Sequence, residues 1–350
     1  MASRFSDPAL DALMLPFAQG QLAWPSGPVL FLRARDGAAL RQFPLSQVVC
    51  EQSFRPDAEL LERAGLRVVA DAAEDGVRYP LVLVLPPRQR EEARALLARA
   101  VQLASPGGVV VAAMTNNEGA KSGEADLKQL AGLAGTLTKF HCRTFWTRPL
   151  GEGTDEAMLR QWSALDAPRR IEGGRFLSRP GVFAWNRIDP ASALLVECLP
   201  NDIAGHGADL GAGWGFLSLS LLARNSAITA LDLYEAEARA LALAKENLSP
   251  VASSARVEFR WHDVTAGLPE RYDFIVSNPP FHTQSRADRP DIGQRFIAAA
   301  AEALKPGGRL WLVANRHLPY EQTLNERFGD VRVAGERDGF KVIAAIKARR

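Results

Sequence analysis

The chain has 350 residues, 47% hydrophobic and 23% charged, with 42 basic side chains against 40 acidic ones for a net charge of +2. That length exceeds one ordinary domain of roughly 100–200 residues and predicts two. The near-neutral balance excludes an overall basic field, so a polyanionic partner has to be met by a local basic surface. Cys50, Cys142 and Cys198 are far apart, with no CxxC or Cys/His ligand spacing, and read as reduced, mostly buried thiols with no metal site. The opening MASRFSDPALDALMLPF carries acids where a secretory leader needs a basic start and an apolar core. No apolar run approaches the ~18 residues of a membrane span, so the expected location is the cytoplasm.

In chain order, the first half offers an apolar strand ending in prolines, YPLVLVLPP (79–87), then a turn into a strand at SPGGV (105–109), then KFHCRTFW (139–146). Residues 160–187 follow, where Arg160, Arg169, Arg170, Arg175, Arg179 and Arg187 are interleaved with Phe176, Phe183 and Trp185. Arginine among aromatics suits phosphate contacts and base stacking, and also suits a solvated linker. From about Ala191 short apolar runs alternate with helical patterns. A helix over 191–199 precedes the strand GADLGAG (207–213), the helix 216–223, the strand AITALDLY (227–234) and the helix 235–248. The strands ARVEFRWHD (255–263) and YDFIVSN (272–278) come next, then the helix 292–304 and the turn and strand PGGRLWLVAN (306–315). The tail 331–347 reads as two strands joined by a turn. Strands separated by helices predict an α/β fold, a parallel sheet covered on both faces, with a hairpin at one edge. Ligands of such sheets bind beyond the carboxyl ends of the strands.

Three strand ends carry candidate cofactor contacts. Gly211 and Gly213 in DLGAGWG (209–215) allow a tight turn and a close backbone approach, with Asp209 just before them. Asp232 is placed at the end of the next strand to accept ribose hydroxyls, and Asp263 at the end of the third to reach an adenine amino group. The spacing GxGxG differs from pyrophosphate-binding turns, and no Lys-Ser/Thr follows, so S-adenosylmethionine fits better than a dinucleotide or a nucleoside triphosphate. The fourth strand leaves through SNPPF. Asn278, Pro279 and Pro280 form a stiff exit presenting two acceptors, the Asn278 amide oxygen and the Pro279 carbonyl, suited to an –NH₂ group on a planar base. Phe281 is placed to stack on that base.

The series DLGAGWG, LDLY, WHD, SNPPFH, with RPGVFAWNRIDPASALL before it and VANRHLPY and FKV after it, resembles the bacterial ribosomal RNA guanine-N2-methyltransferases, both those acting on small-subunit RNA and their relatives acting on large-subunit RNA. The resemblance runs over roughly 180–350. It implies a class I S-adenosylmethionine-dependent methyltransferase with cofactor contacts at Asp209, Gly211, Gly213 and Asp232, and less securely at Asp263. The amine-binding loop maps to Asn278, Pro279, Pro280 and Phe281. It further implies ribosomal RNA of the small subunit as substrate. The NPPF motif is shared with DNA adenine and protein glutamine methyltransferases, so those substrates and large-subunit RNA stay open, as does a non-catalytic RNA-binding or ribosome-assembly factor.

The first half repeats the second. Tyr79 and Pro86-Pro87 keep the register of Tyr272 and Pro279-Pro280, and SPGG (105–108) answers KPGG (305–308). Leu85 and Arg88 stand where Asn278 and Phe281 do, and no DxGxG turn precedes them. The expectation is therefore two tandem Rossmann-like class I methyltransferase domains from an internal duplication, the amino-terminal copy degenerate. The boundaries are 1–160 for a domain without cofactor site, 161–190 for a basic linker and 191–350 for the catalytic domain. An internal duplicate stands in for a dimer partner, which favours a monomer.

Overall fold

The computed structural model describes residues 7–74, 76–151, 153–251, 254–280 and 290–349. Phe281 and the His282 that follows it thus lie outside the described residues. The chain divides into two compact units, Met1–Ala167 and Pro168–Arg350.

The first unit is built on β1 (Val29–Leu32), β2 (Val48–Glu51), β3 (Arg67–Val69), β4 (Tyr79–Val84), β5 (Ala104–Thr115), β6 (Leu133–Lys139) and β7 (Cys142–Thr147). These form one sheet in the order β3-β2-β1-β4-β5-β7-β6, with β7 antiparallel to both of its neighbours. Its helices are α1 (Pro8–Ala18), α2 (Arg55–Arg63), α3 (Arg90–Leu103), α4 (Ala120–Ala131) and α5 (Glu156–Ser163). The central strand VLFL is buried at every position, as a parallel strand covered on both faces must be. Its residues alternate between two cores: Leu30 and Leu32 join one apolar cluster, Val29 and Phe31 the other.

The second unit carries an antiparallel hairpin of β8 (Arg169–Ile171) and β9 (Phe176–Ser178), followed by α6 (Pro190–Cys198). Its sheet consists of β10 (Gly205–Leu210), β11 (Ile228–Glu235), β12 (Arg256–Trp261), β13 (Tyr272–Ser277), β14 (Leu304–Asn315), β15 (Asp330–Arg337) and β16 (Phe340–Ile346). The helices are α7 (Phe216–Arg224), α8 (Ala238–Leu248), α9 (Pro290–Ala303) and α10 (Glu321–Arg327). The order β12-β11-β10-β13-β14-β16-β15 reproduces the first sheet strand for strand, with β16 in the place of β7.

The duplication extends to individual hydrogen bonds. Gly107 and Gly307 have φ of 75° and 78°, in the left-handed region that glycine adopts without strain. Gly107 N–H donates to Leu150 O at 2.8 Å and Gly307 N–H to Lys347 O at 2.9 Å, and the N–H groups of Leu150 and Lys347 return the bond to Gly108 O and Gly308 O. The register of β4 on β5 and of β13 on β14 slips at the same place, just after Tyr79 and Tyr272.

Packing in the second unit leaves no room in the middle of β10. A Cβ on Gly207 would lie 2.0 Å from the Phe274 ring, itself buried. Gly207→Ala is expected to cost about 1–3 kcal/mol through overpacking, read as a lowered melting temperature of the second unit by calorimetry.

Candidate active site

The site lies where β10 and β13 end side by side, Leu210 paired with Ser277. Ser277 Oγ donates to Leu210 O at 2.7 Å and ties the two exits together. Beyond Leu210 the chain turns through Gly211, Gly213 and Gly215, with φ of 75°, 55° and 94°. These three left-handed positions, close together in the chain, explain why glycines stand there. Gly211 and Ala212 donate their N–H groups to Tyr234 O, and Gly213 N–H donates to Glu235 Oε2 at 2.7 Å. The turn is therefore held by the end of β11 and delivers the chain into α7. A Cβ on Gly211 would come 3.7 Å from the Asn278 carbonyl oxygen, so the glycine turn and the Asn-Pro-Pro exit face one another.

Gly211, Gly213 and Asn278 line one crevice together with Trp214, Asp189 and Ser192, which sequence reasoning did not single out. Asn278 Nδ2 donates to Asp189 Oδ2 at 3.0 Å and to Ser192 Oγ at 2.8 Å. Its Oδ1 is buried and accepts no hydrogen bond from any described residue. Pro279 is buried and Pro280 exposed. Beneath the glycine turn Asp209 is fully buried. One oxygen accepts from Ser218 Oγ at 2.7 Å, and the other has no partner among the described residues. Burial pushes its carboxyl up to about 7 against the opposing pull of the Ser218 bond. The orphaned Asn278 oxygen at the crevice calls for a donor from a ligand, because leaving such an atom bare costs free energy.

Asp232 is not at the rim, which corrects the sequence expectation. β11 runs on to Glu235, and the two-residue alternation of a strand turns Asp232 and Tyr234 to the sheet face opposite Leu231 and Leu233. There Asp232 is fully buried and accepts from Tyr272 Oη at 2.9 Å, while Tyr234 and Tyr272 share a bond of 2.6 Å. His206, Asp232 and Glu270 are near enough to share a cation. Arg260, 2.7 Å from Glu270 and 3.6 Å from Asp232, already puts a guanidinium among them.

The residue at the end of β11 is Glu235. It accepts from Gly213 N–H and, at 2.8 Å, from Glu237 N–H, and burial pushes its carboxyl above the usual range. LDLYE alone does not choose between its two acids: the β10–β11 register pairs Leu210 with Tyr234, so the acid that meets the turn is the next residue. Asp263 follows β12 and caps a single turn at Val264–Ala266, accepting from Thr265 N–H and Oγ at 2.9 and 2.7 Å. It does not line the crevice.

The later part of the predicted linker, from Phe176 onward, is docked onto the site. Asn247 on α8 bonds both the N–H and the carbonyl of Leu177 in β9, and its Nδ2 also donates to Trp214 O in the glycine turn. Phe176 packs on Trp214 with ring centroids 5.1 Å apart, and Trp185 joins the same apolar cluster. Phe183 alone of the three expected stacking residues is free of the core. It lies at the crevice, 62% exposed.

The first unit shows what the same frame looks like with the site filled in. By strand register, Phe31, Arg33 and Arg35 stand where Asp209, Gly211 and Gly213 do. Arg33 keeps the left-handed backbone, with φ of 52°, and its guanidinium bonds Glu92; Arg35 bonds Asp7. Gln52 replaces Glu235, and accepts from Phe54 N–H as Glu235 does from Glu237. Leu85, buried and apolar, replaces Asn278.

Seven strands in this order, a glycine turn after the first strand of the unit's sheet and Asn-Pro-Pro after the fourth define a class I methyltransferase fold. The Methyltransferase small domain family matches residues 173–344. A ribosomal RNA small subunit methyltransferase C of Shewanella pealeana is 32% identical over 77% of this chain and 78% of its own length. The protein of the same description from Salmonella choleraesuis is 30% identical over 92% and 89%. A solved structure of a T. thermophilus 16S rRNA N2 methyltransferase in complex with AdoMet and guanosine superposes with a TM-score of 0.80 at 25% identity. It covers 99% of this chain and 94% of that one. The chain belongs to the ribosomal RNA small subunit methyltransferase C family.

Proposed function

We propose that the chain transfers a methyl group from S-adenosylmethionine to the exocyclic N2 amine of a guanine in 16S ribosomal RNA, at the crevice of the second unit. The observation that carries this reading is Asn278: its amide nitrogen is tied to Asp189 and Ser192, and its oxygen is left bare at the crevice. A bare acceptor there takes a hydrogen from an amine. Drawing on the amine hydrogens reduces the delocalisation of the nitrogen lone pair into the base and frees it for attack. Pro279 offers its carbonyl as the second acceptor, and its ring stiffens the exit so that both oxygens hold their places. Phe281 is assigned to stack on the base. Gly211, Gly213, Asp209 and Glu235 are assigned to the cofactor, Asp263 to its adenine. Bound there, S-adenosylmethionine supplies a methyl group on a positively charged sulfur.

The first unit has no role in the chemistry on this reading, since arginines and a leucine take the places that the cofactor and amine need. The protein acts on RNA as a monomer, its catalytic unit being complete in one chain. Among the described residues no helix is long and apolar enough to cross a membrane. The test is methylation of 16S RNA by the purified protein, followed by digestion and mass spectrometry of the nucleosides. N2-methylguanosine is expected. Methyl groups only in large-subunit RNA, in adenine of DNA or in glutamine would replace the substrate, and no transfer at all would favour an RNA-binding factor.

The carboxyl of Asp209 adds a pH signature. Its value in the folded chain, about 7, lies above the ordinary 3.8. Its contribution to stability is thus fully present below about pH 4 and is lost as pH rises through 7. The cationic methionine end of the cofactor favours the ionised form, so binding at about pH 6 is expected to release a proton. Calorimetry in buffers of different ionisation heat measures it; Asp209→Asn is expected to abolish the release.

A further inference from the structure

Asp189 and Ser192 belong to the segment IDPAS that opens α6, and the chemistry just described gives them no role beyond bonding the Asn278 amide nitrogen. Asp189 caps the helix, its Oδ2 accepting from Ser192 N–H at 2.8 Å. The same oxygen accepts from Asn278 Nδ2 at 3.0 Å, and Ser192 Oγ accepts from it at 2.8 Å. Ser192 is buried and Asp189 half-buried.

An asparagine amide has two faces of opposite meaning, an acceptor oxygen and a donor nitrogen, related by a half-turn about the last side-chain bond. The oxygen has to point at the crevice if the site is to hold an amine. Turned the other way, the site would present N–H to N–H, and would suit a ring carbonyl instead. An ionised carboxylate accepts hydrogen bonds and donates none. Rotating Asn278 would set its oxygen against Asp189 Oδ2 and exchange a charge-assisted bond for a repulsive contact.

We propose that Asp189, seconded by Ser192, is a positioning residue that fixes the orientation of the Asn278 amide, and through it the preference of the site for an amine over a carbonyl. The helix cap is the device that holds Asp189 in place: Pro190 follows it at the first helical position, and Ser192 N–H pins the carboxylate oxygen that Asn278 uses. This inference rests on the reading of Asn278 as the amine acceptor.

The test separates capping from positioning. Asp189→Ser keeps a helix cap but is too short to reach Asn278, whereas Asp189→Asn keeps both the cap and an acceptor. With 16S RNA as substrate, Asp189→Ser is expected to lower kcat about 30-fold, less than the roughly 100-fold of losing a preorganised polar group outright. KM and S-adenosylmethionine affinity should stay within about twofold, and Asp189→Asn is expected to recover most of the rate. Ser192→Ala leaves the cap untouched, since that bond uses the Ser192 backbone, and is expected to lower kcat several-fold. In an Asn278→Ala background, Asp189→Ser is expected to change kcat no further, because a residue acting only through Asn278 has nothing left to act on.

Losses that multiply in the double variant would overturn the proposal. So would a loss confined to cofactor affinity, equal losses for Asp189→Ser and Asp189→Asn, or wild-type turnover in Asp189→Ser and Ser192→Ala. A wild-type protein forming no N2-methylguanosine would instead remove the underlying reading, and the two failures are told apart by that control.

Discussion

Replacing Asn278 by Ala is expected to lower turnover on 16S RNA by about 100-fold or more, the scale of removing one preorganised polar group from an active site. The substitution takes away the buried side-chain oxygen that is left without a partner at the end of β13, together with the two bonds that orient it. Cofactor affinity should change little, because the glycine turn is held from β11 and not from Asn278. Single-turnover kinetics with separately measured cofactor binding checks both halves. Turnover near wild type would remove the assigned mechanism.

Glu235→Ala is expected to weaken S-adenosylmethionine binding by about 10- to 100-fold, because the backbone N–H groups of Gly213 and Glu237 lose their acceptor. Each buried donor left bare costs about 1–3 kcal/mol, and about 1.4 kcal/mol is a factor of ten. The glycine turn then no longer has a fixed edge. Asp232→Asn keeps an acceptor for Tyr272 and lies within the sheet, so it is expected to leave affinity within about twofold. Calorimetric titration of both variants decides between the two acids. The reverse ranking would restore Asp232 to the cofactor site.

That pair shows where the sequence was legible and where it was not. The alternation of strands and helices, the glycine turn, the proline exit and the duplication were all visible, because each rests on local chemistry: left-handed glycines, fixed proline angles, apolar periodicity. The position of the strand end was not. In LDLYE both acids look equally terminal, and only the pairing of Leu210 with Tyr234 shows that β11 extends to Glu235 and buries Asp232. A fully buried carboxylate is rare enough that the sequence alone favours the exposed reading. It is tolerated here because Tyr272 donates to it and Arg260 lies 3.6 Å away.

The support of Asn278 was invisible for a related reason. Asp189 and Ser192 reach it from 89 and 86 positions away in the chain, across a fold that brings the start of α6 to the end of β13. Nothing local marks Asp189 as more than a helix cap before Pro190. Similarly, Phe176 and Trp185 read as stacking residues among arginines, yet the tertiary fold places them in the apolar cluster under Trp214. The degenerate copy was legible at Leu85 but not at Arg33 and Arg35, whose equivalence to Gly211 and Gly213 appears only in the strand register.

The most direct measurement is a crystal structure of the protein with a non-reactive S-adenosylmethionine analogue and guanosine. The expected arrangement has the analogue beside Gly211 and Gly213 in the second unit, with the guanine N2 within about 3.2 Å of Asn278 Oδ1. A guanine held through Asn278 Nδ2, or an analogue bound in the first unit, would contradict it.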